Sequence, residues 1–246
     1  MKLDLHYTDL HLVELYDREN PHGADTDFYL ALATDINAHR SIDFGRGTGL
    51  LTCELAIEGR QIIGIDPSAP MPAVAQRKPG AERVQWIEGD SSAWGKRGAD
   101  LAIMTGNVAQ VFLDDSEWET TLQALHTTLR PGGYLAFESH NPLARAWEKW
   151  NRDDTFEQIN TRFGLMECWL ELVKDEYGRV RFVGHNVFKS TGEDLVVSSE
   201  LRFRRKAELV NFLINMGFTI EHVYGNWHNE PFTETSRLMV FVARRS

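Results

Sequence analysis

Cysteine is scarce in this chain. Cys53 and Cys168 are the only two in 246 residues. Two distant thiols build no disulfide framework and match no metal-ligand spacing, so no metal site is expected. Long hydrophobic runs are absent as well. None approaches the ~18–20 residues of a membrane span, which argues against a membrane partner. The opening Met1-Lys2-Leu3-Asp4-Leu5-His6 lacks the apolar segment of a secretory leader, and the expected location is a reducing cytoplasm. Basic residues are in the minority, 26 Lys+Arg against 36 Asp+Glu, for a formal net charge of −10. A groove for a phosphate backbone needs clustered cations, so nucleic acid is not an expected partner. The short basic cluster Arg202-Phe203-Arg204-Arg205-Lys206 reads as a solvated face. Internal repeats and low-complexity linkers are also missing.

The length suits one α/β domain with an elaboration. Its most informative stretch is Ile42-Asp43-Phe44-Gly45-Arg46-Gly47-Thr48-Gly49-Leu50. Apolar residues precede it and a helical pattern follows, which reads as strand, tight turn and helix start. Glycine lets a ligand approach the backbone closely, and the helix N-terminus behind it offers free N–H groups. A dinucleotide loop reads Gly-x-Gly-x-x-Gly with pyrophosphate on the helix end. Here the third glycine, Gly49, comes one residue early. Asp43 would sit badly beside a pyrophosphate and suits an ammonium or other donor-bearing ligand. Asp66 ends the next apolar run, where an acid can accept both hydroxyls of a ribose. Asp90 ends a third run, placed to meet an adenine amino group.

Together these residues resemble the class I S-adenosylmethionine-dependent methyltransferase family. The resemblance covers roughly residues 41 to 138, and the chain end fits it too. Asp43 to Gly49 matches the glycine-rich signature. Gly64-Ile65-Asp66-Pro67-Ser68 matches the ribose-binding acid, Glu88-Gly89-Asp90-Ser91 the adenine-side acid, and Leu129-Arg130-Pro131-Gly132-Gly133-Tyr134-Leu135 the turn before the fifth strand. One element alone is weak, but four in order carry weight. The resemblance implies a Rossmann-like α/β fold, a seven-stranded sheet with helices on both faces, and S-adenosyl-L-methionine as cofactor. The implied cofactor residues are Asp43, Gly45, Arg46, Gly47, Thr48, Gly49, Asp66, Pro67, Asp90, Ser91, Thr105 and Asn107. Arg46 stands where relatives often have cysteine, at a position expected to contribute mainly backbone.

The organisation along the chain follows from periodicity. Residues 5 to 38 read mainly as helix, with Thr26-Asp27 as a cap and a loop over residues 16–23. Strands and helices then alternate, as in a parallel sheet. A helix should start near Pro72, because proline is tolerated only in a first turn. A strong helix should open at Ser116-Glu117-Trp118-Glu119 with a capping box. Trp118, Leu122, Leu125 and Leu129 recur on one face behind it. Tyr134 to Glu138 reads as the fifth strand. Three alternating segments, near 165–173, 179–188 and 194–204, read as a small inserted antiparallel sheet. The expected division is therefore an N-terminal helical segment, 1–40, covering the cofactor site; a core, 41–141 and 205–246; and an inserted substrate or lid region, 142–204.

Ligands of open α/β sheets bind outside the carboxyl ends of the strands. That rule points to Thr105–Asn107, to Ser139–Pro142 and to the loop Gly225–Glu230. Methyl transfer needs alignment, and a base only if the nucleophile must lose a proton. His140, His185 and His228 are the candidate bases, each with a structural alternative: a loop cap, a packed strand residue and a surface residue. Tyr16, Trp147 and Trp227 are the candidate substrate contacts. Clues to the acceptor are mostly negative. There is no Asn/Asp-Pro-Pro-aromatic after strand four and no paired-glutamate hairpin, and two cysteines are too few for arsenic methylation. The acceptor is expected to be a small molecule. A homodimer is one expectation for the assembly. Two other readings compete, a nicotinamide-dependent oxidoreductase and a non-catalytic S-adenosylmethionine-binding module.

Overall fold

The structure is a computed structural model and describes residues 3–90 and 98–246. Ser91 lies outside the described residues. The N-terminal part holds α1 (Leu10–Glu19) and α2 (Ala24–Asp35). The carboxylate of Asp9 caps α1 by accepting from the N–H groups of His11 and Leu12. Helix α1 continues through Tyr16 to Glu19, where a loop is predicted. Nor do Thr26 and Asp27 cap α2. Gly23 holds the N-cap position, and Asp25 and Asp27 fall in the first turn, where the helix dipole favours acids.

The core then alternates: β1 (Arg40–Phe44), α3 (Leu50–Leu55), β2 (Gln61–Asp66), α4 (Met71–Ala75), β3 (Val84–Glu88), β4 (Ala99–Met104), α5 (Asp115–Thr128) and β5 (Leu129–His140). Helix α5 starts one residue before the predicted capping box. Its N-cap is Asp114, whose side chain makes no cap bond and pairs with Arg179 instead, at 2.6 Å. Of its predicted apolar face, Trp118, Leu122 and Leu125 are fully buried on the helix, while Leu129 opens β5 instead. Strand β5 is much longer than Tyr134–Glu138, because Leu129 already pairs with Ala99 across a bulge.

After β5 the chain forms α6 (Arg152–Thr155) and then β6 (Glu157–Thr161), β7 (Gly164–Glu176), β8 (Arg179–Phe188), β9 (Glu193–Asp194) and β10 (Val197–Arg202). These make a separate five-stranded antiparallel sheet, two strands more than the alternation predicts. The extra strands are short or largely exposed, so they carry little hydrophobic pattern. The core resumes with α7 (Lys206–Asn215), β11 (Phe218–Tyr224) and β12 (Leu238–Arg245).

The main sheet has seven strands in the order β11-β12-β5-β4-β1-β2-β3. Strands β1 to β5 pair in parallel, and β12 runs antiparallel to both β5 and β11. Side chains alternate across it, so both faces carry a core. One face packs Ile42, Phe44, Ile65 and Phe137 against Trp118 of α5 and Leu213 of α7. The other packs Ile62, Leu101 and Ile103 against Tyr29 of α2 and Leu55 of α3. The strand order reverses between β1 and β4, and that switch point is where the candidate site lies.

The basic cluster is not a solvated face throughout. Arg204 is 1% exposed. Its Nη2 donates to the Phe112 carbonyl at 2.9 Å and to Asp115 at 3.0 Å, and the guanidinium lies over the Trp118 ring. It ties the exit from the second sheet to the start of α5. Among the described residues, no helix is long and apolar enough to cross a membrane.

Candidate active site

The turn after β1 holds three glycines with positive φ: Gly45 at 73°, Gly47 at 52° and Gly49 at 73°. An L-residue resists that region, because its Cβ crowds the backbone. Space is short as well. A Cβ on Gly45 would lie 2.4 Å from Cγ2 of Val108, and one on Gly47 would lie 3.3 Å from the Tyr16 ring. Arg46 does more than lend its backbone. Its side chain is buried, its Nη1 donates to the Gly47 carbonyl at 2.6 Å, and its guanidinium lies 4.8 Å from the Trp86 ring centroid. Thr48 donates to Asp17 at the end of α1, which pins the loop from outside.

Two carboxylates face this loop. Asp66, at the end of β2, accepts from Gly47 N–H at 2.9 Å and from Ser68 N–H at 2.8 Å. Burial raises its pKa against those two bonds. Asp43 accepts from the Thr52 hydroxyl at 2.6 Å through Oδ2. Its Oδ1 is buried and has no hydrogen-bond partner among the described residues. Burial pushes the Asp43 carboxyl up to about 6. An unpaired buried carboxylate oxygen beside a glycine cradle suits a donor-bearing ligand, an ammonium above all. The residues present therefore fit an amino-acid-bearing nucleoside.

A cavity of about 700 Å³ opens beside Gly45 and Asp66, a size typical of small-molecule sites. Its floor is the β4 exit, Thr105 to Val108. Its roof comes from β8 and β10, through Phe182 and Ser199, which pair across those strands. Tyr7 and Tyr16 close it from the N-terminal side. A smaller cavity, about 280 Å³, lies beneath α2 and includes Asp43, Gly47 and Thr48. Tyr16, Gly45, Thr105 and Gly106 border both.

The β4 exit is held from below. Asn107 has positive φ, and its N–H donates to Oε1 of Glu138 at 2.6 Å. The other carboxylate oxygen accepts from the Tyr29 hydroxyl. Burial pushes the Glu138 carboxyl up to about 7, against the pull of these two donors.

The structure thus brings together Asp43, Gly45, Gly47, Thr48, Asp66, Thr105, Asn107 and Tyr16. Gly49 serves the same turn as the left-handed N-cap of α3. Pro67 and Asp90 border neither cavity, and Asp90 is exposed just beyond β3. The candidate bases His140, His185 and His228 also border neither cavity. His140 is part-buried, with Nδ1 2.8 Å from Gln110 Oε1, and burial lowers its pKa. His185 pairs with Asp194 at 2.7 Å and stacks on Trp169. His228 is exposed in its loop. The two tryptophans face elsewhere too. Trp147 packs on Phe203 and donates to Asp175 at 2.8 Å, while Trp227 packs against Phe28 and Tyr29. Asp4, His6 and Tyr7 do line the large cavity, yet nothing in their pattern announces it. They occupy a short 3-10 turn, Leu5–Tyr7, without periodicity.

A family model described as a methyltransferase domain matches residues 42–133. An uncharacterised methyltransferase of Geobacillus kaustophilus is 32% identical over 130 residues, covering 51% of this chain and 58% of that protein. The chain thus spans little more than half the length of the curated relatives it matches first. The CcbJ methyltransferase from Streptomyces caelestis superposes with a TM-score of 0.81 at 18% identity, covering 98% of this chain and 99% of that one. An amino pentose methyltransferase from Micromonospora echinaspora, solved with S-adenosylmethionine bound, gives 0.69 at 19% identity, covering 100% and 99%. At such identities these two structures speak for the fold. Residues 42–133 thus carry a methyltransferase domain, and the fold is the one that S-adenosylmethionine-dependent methyltransferases share.

Proposed function

We propose that this chain methylates a small molecule bearing an amine, with S-adenosylmethionine as methyl donor. The observation that carries this reading is the large cavity, which joins the glycine turn and Asp66 to the face of the second sheet. When bound, S-adenosylmethionine supplies a sulfonium-activated methyl group. Asp66 would accept its ribose hydroxyls, and the unpaired Oδ1 of Asp43 would face its ammonium. The chain's further task is to orient the acceptor and exclude water. In this reading residues 41–141 and 205–246 hold the cofactor, residues 1–40 cover it, and residues 142–204 form the acceptor side.

Charge supports the amine. Among the described residues Asp4, Asp66, Asp114, Glu117 and Glu200 line the cavity with one guanidinium, Arg181, which pairs with Glu200, while Asp114 pairs with Arg179, so the acids still outnumber the bases. Such a lining concentrates cations and disfavours anionic acceptors. The amino pentose methyltransferase of the same fold agrees with that class.

The test has two stages. Calorimetry should show binding of S-adenosylhomocysteine and none of a nicotinamide dinucleotide. S-adenosylmethionine should then be offered with a panel of small amines, amino sugars, phenols and quinols, with S-adenosylhomocysteine release as readout. Turnover confined to phenols or quinols would overturn the amine. Nicotinamide binding in place of S-adenosylhomocysteine would overturn the whole reading.

A further inference from the structure

Among the described residues, His6 is the one histidine that lines the large cavity. It stands in the 3-10 turn capped by Asp4, whose Oδ1 accepts from His6 N–H at 2.9 Å. The same oxygen lies 3.6 Å from Nδ1 of the His6 ring. Oδ2 of Asp4 accepts from the Ser199 hydroxyl on β10. Burial works against the charge on Asp4, but the bonds from His6 and Ser199 hold its pKa below the usual range. A persistent carboxylate therefore stands beside Nδ1.

The other ring nitrogen is free. Nε2 has no hydrogen-bond partner among the described residues. It lies over Gly184 of β8, where a Cβ would be 3.9 Å away and glycine leaves that space open. The turn is also tied to the cofactor side. The Ser68 hydroxyl donates to the Tyr7 carbonyl at 2.6 Å, and Ser68 N–H donates to Asp66. One chain of hydrogen bonds thus runs from Asp66 through Ser68 to the turn, and from Asp4 on to the second sheet.

We propose that His6 is the base of the transfer and that Asp4 is its positioning residue. The inference rests on the methyl-transfer reading above. A carboxylate near Nδ1 favours the tautomer with the proton on Nδ1 and leaves the Nε2 lone pair unengaged among the described residues. The separation of 3.6 Å is long for a hydrogen bond, as such contacts are before a site fills. An ammonium group entering the cavity gives one proton to Nε2. The neutral amine then bonds to the methyl carbon as the carbon–sulfur bond breaks, with that electron pair staying on sulfur. Two positive charges enter the step, on ammonium and sulfonium. Two leave it, on imidazolium and methylammonium. Asp4 stands against the imidazolium, and Glu19 on α1 also feels the charge of His6.

Two measurements test the proposal, and the first needs no acceptor. Histidine ring ¹⁵N spectra of the full chain, with S-adenosylhomocysteine bound, should show the His6 tautomer that carries its proton on Nδ1. His6→Gln assigns the signal, and Asp4→Asn should abolish that tautomer preference while S-adenosylhomocysteine still binds. A proton on Nε2 in the complex overturns the proposal. The second uses whichever amine of the panel turns over. His6→Ala and His6→Gln should lower kcat about 10²-fold or more, leave KM for S-adenosylmethionine within about twofold, and remove the acidic limb of the pH–rate profile. An unchanged kcat or an intact limb overturns it. If no amine turns over in the wild type, the amine reading fails while the ring spectra still decide His6.

Discussion

The main-chain N–H of Gly47 donates to the carboxylate of Asp66 at 2.9 Å. The glycine turn after β1 and the acid ending β2 therefore hold one another, and a ligand meets both as one surface. Asp66→Ala should weaken S-adenosylhomocysteine binding roughly tenfold or more, since a hydrogen bond to a charged group contributes ~1.5–3 kcal/mol. Asp66→Asn, which keeps one acceptor oxygen, should lose less. Calorimetry measures both, and an unchanged affinity for Asp66→Ala would remove Asp66 from the site.

Gly45 faces two obstacles to substitution, its φ of 73° and the methyl of Val108 at 2.4 Å from the missing Cβ. Gly45→Ala should cost ~1–2 kcal/mol for the left-handed backbone and ~1–3 kcal/mol for overpacking. Adding Val108→Ala should relieve the second part and leave the first. Urea denaturation of the single and double variants checks this. No relief in the double variant would show that the contact yields freely.

Glu138 gives the fold a pH dependence. Its folded pKa, about 7, lies above the ordinary glutamate value because of burial. The group's stabilisation is complete below the unfolded pKa, near 4.5, and is lost as pH rises through 7. The loss can reach about 3 kcal/mol. Glu138→Gln has no such titration, so its stability should fall less between pH 5 and pH 8 than that of the wild type. Thermal melts across this range decide the point, and parallel profiles would count against it.

Arg204 should be irreplaceable by lysine. Its guanidinium reaches the Phe112 carbonyl and Asp115 together while lying over Trp118. An ammonium is a single point and cannot span them. Arg204→Ala and Arg204→Lys should each destabilise the chain by about 1–3 kcal/mol in denaturant titrations. A fully stable lysine variant would show that charge alone suffices there.

The alternation of apolar runs and turns made the parallel sheet legible, because a strand buried on both faces must be continuously apolar. The Asp43–Gly49 turn was legible for a similar reason: only glycine accepts its backbone, so its spacing survives in plain letters. The second sheet was half legible. Strand β8 alternates in burial through Gly184, Asn186 and Phe188, while β6 and β9 hold no buried residue and leave no pattern. The loop histidines His140 and His228 border neither cavity. A loop after a strand end has the right topology, but the direction of its side chains depends on packing, and His140 turns to Gln110.

What the sequence determined by itself is the methyltransferase domain, the order of the core elements and the acids at the strand ends. Each is a local matter of periodicity, backbone permissiveness or spacing along one stretch of chain. The tertiary structure alone decided which side chains share the cavity. Asp4 and Ser199 stand 195 positions apart and meet through one hydrogen bond. Tyr29 and Glu138 stand 109 apart and meet through another. No local pattern encodes such pairs, because they form only when the N-terminal turn, the main sheet and the second sheet have packed into place.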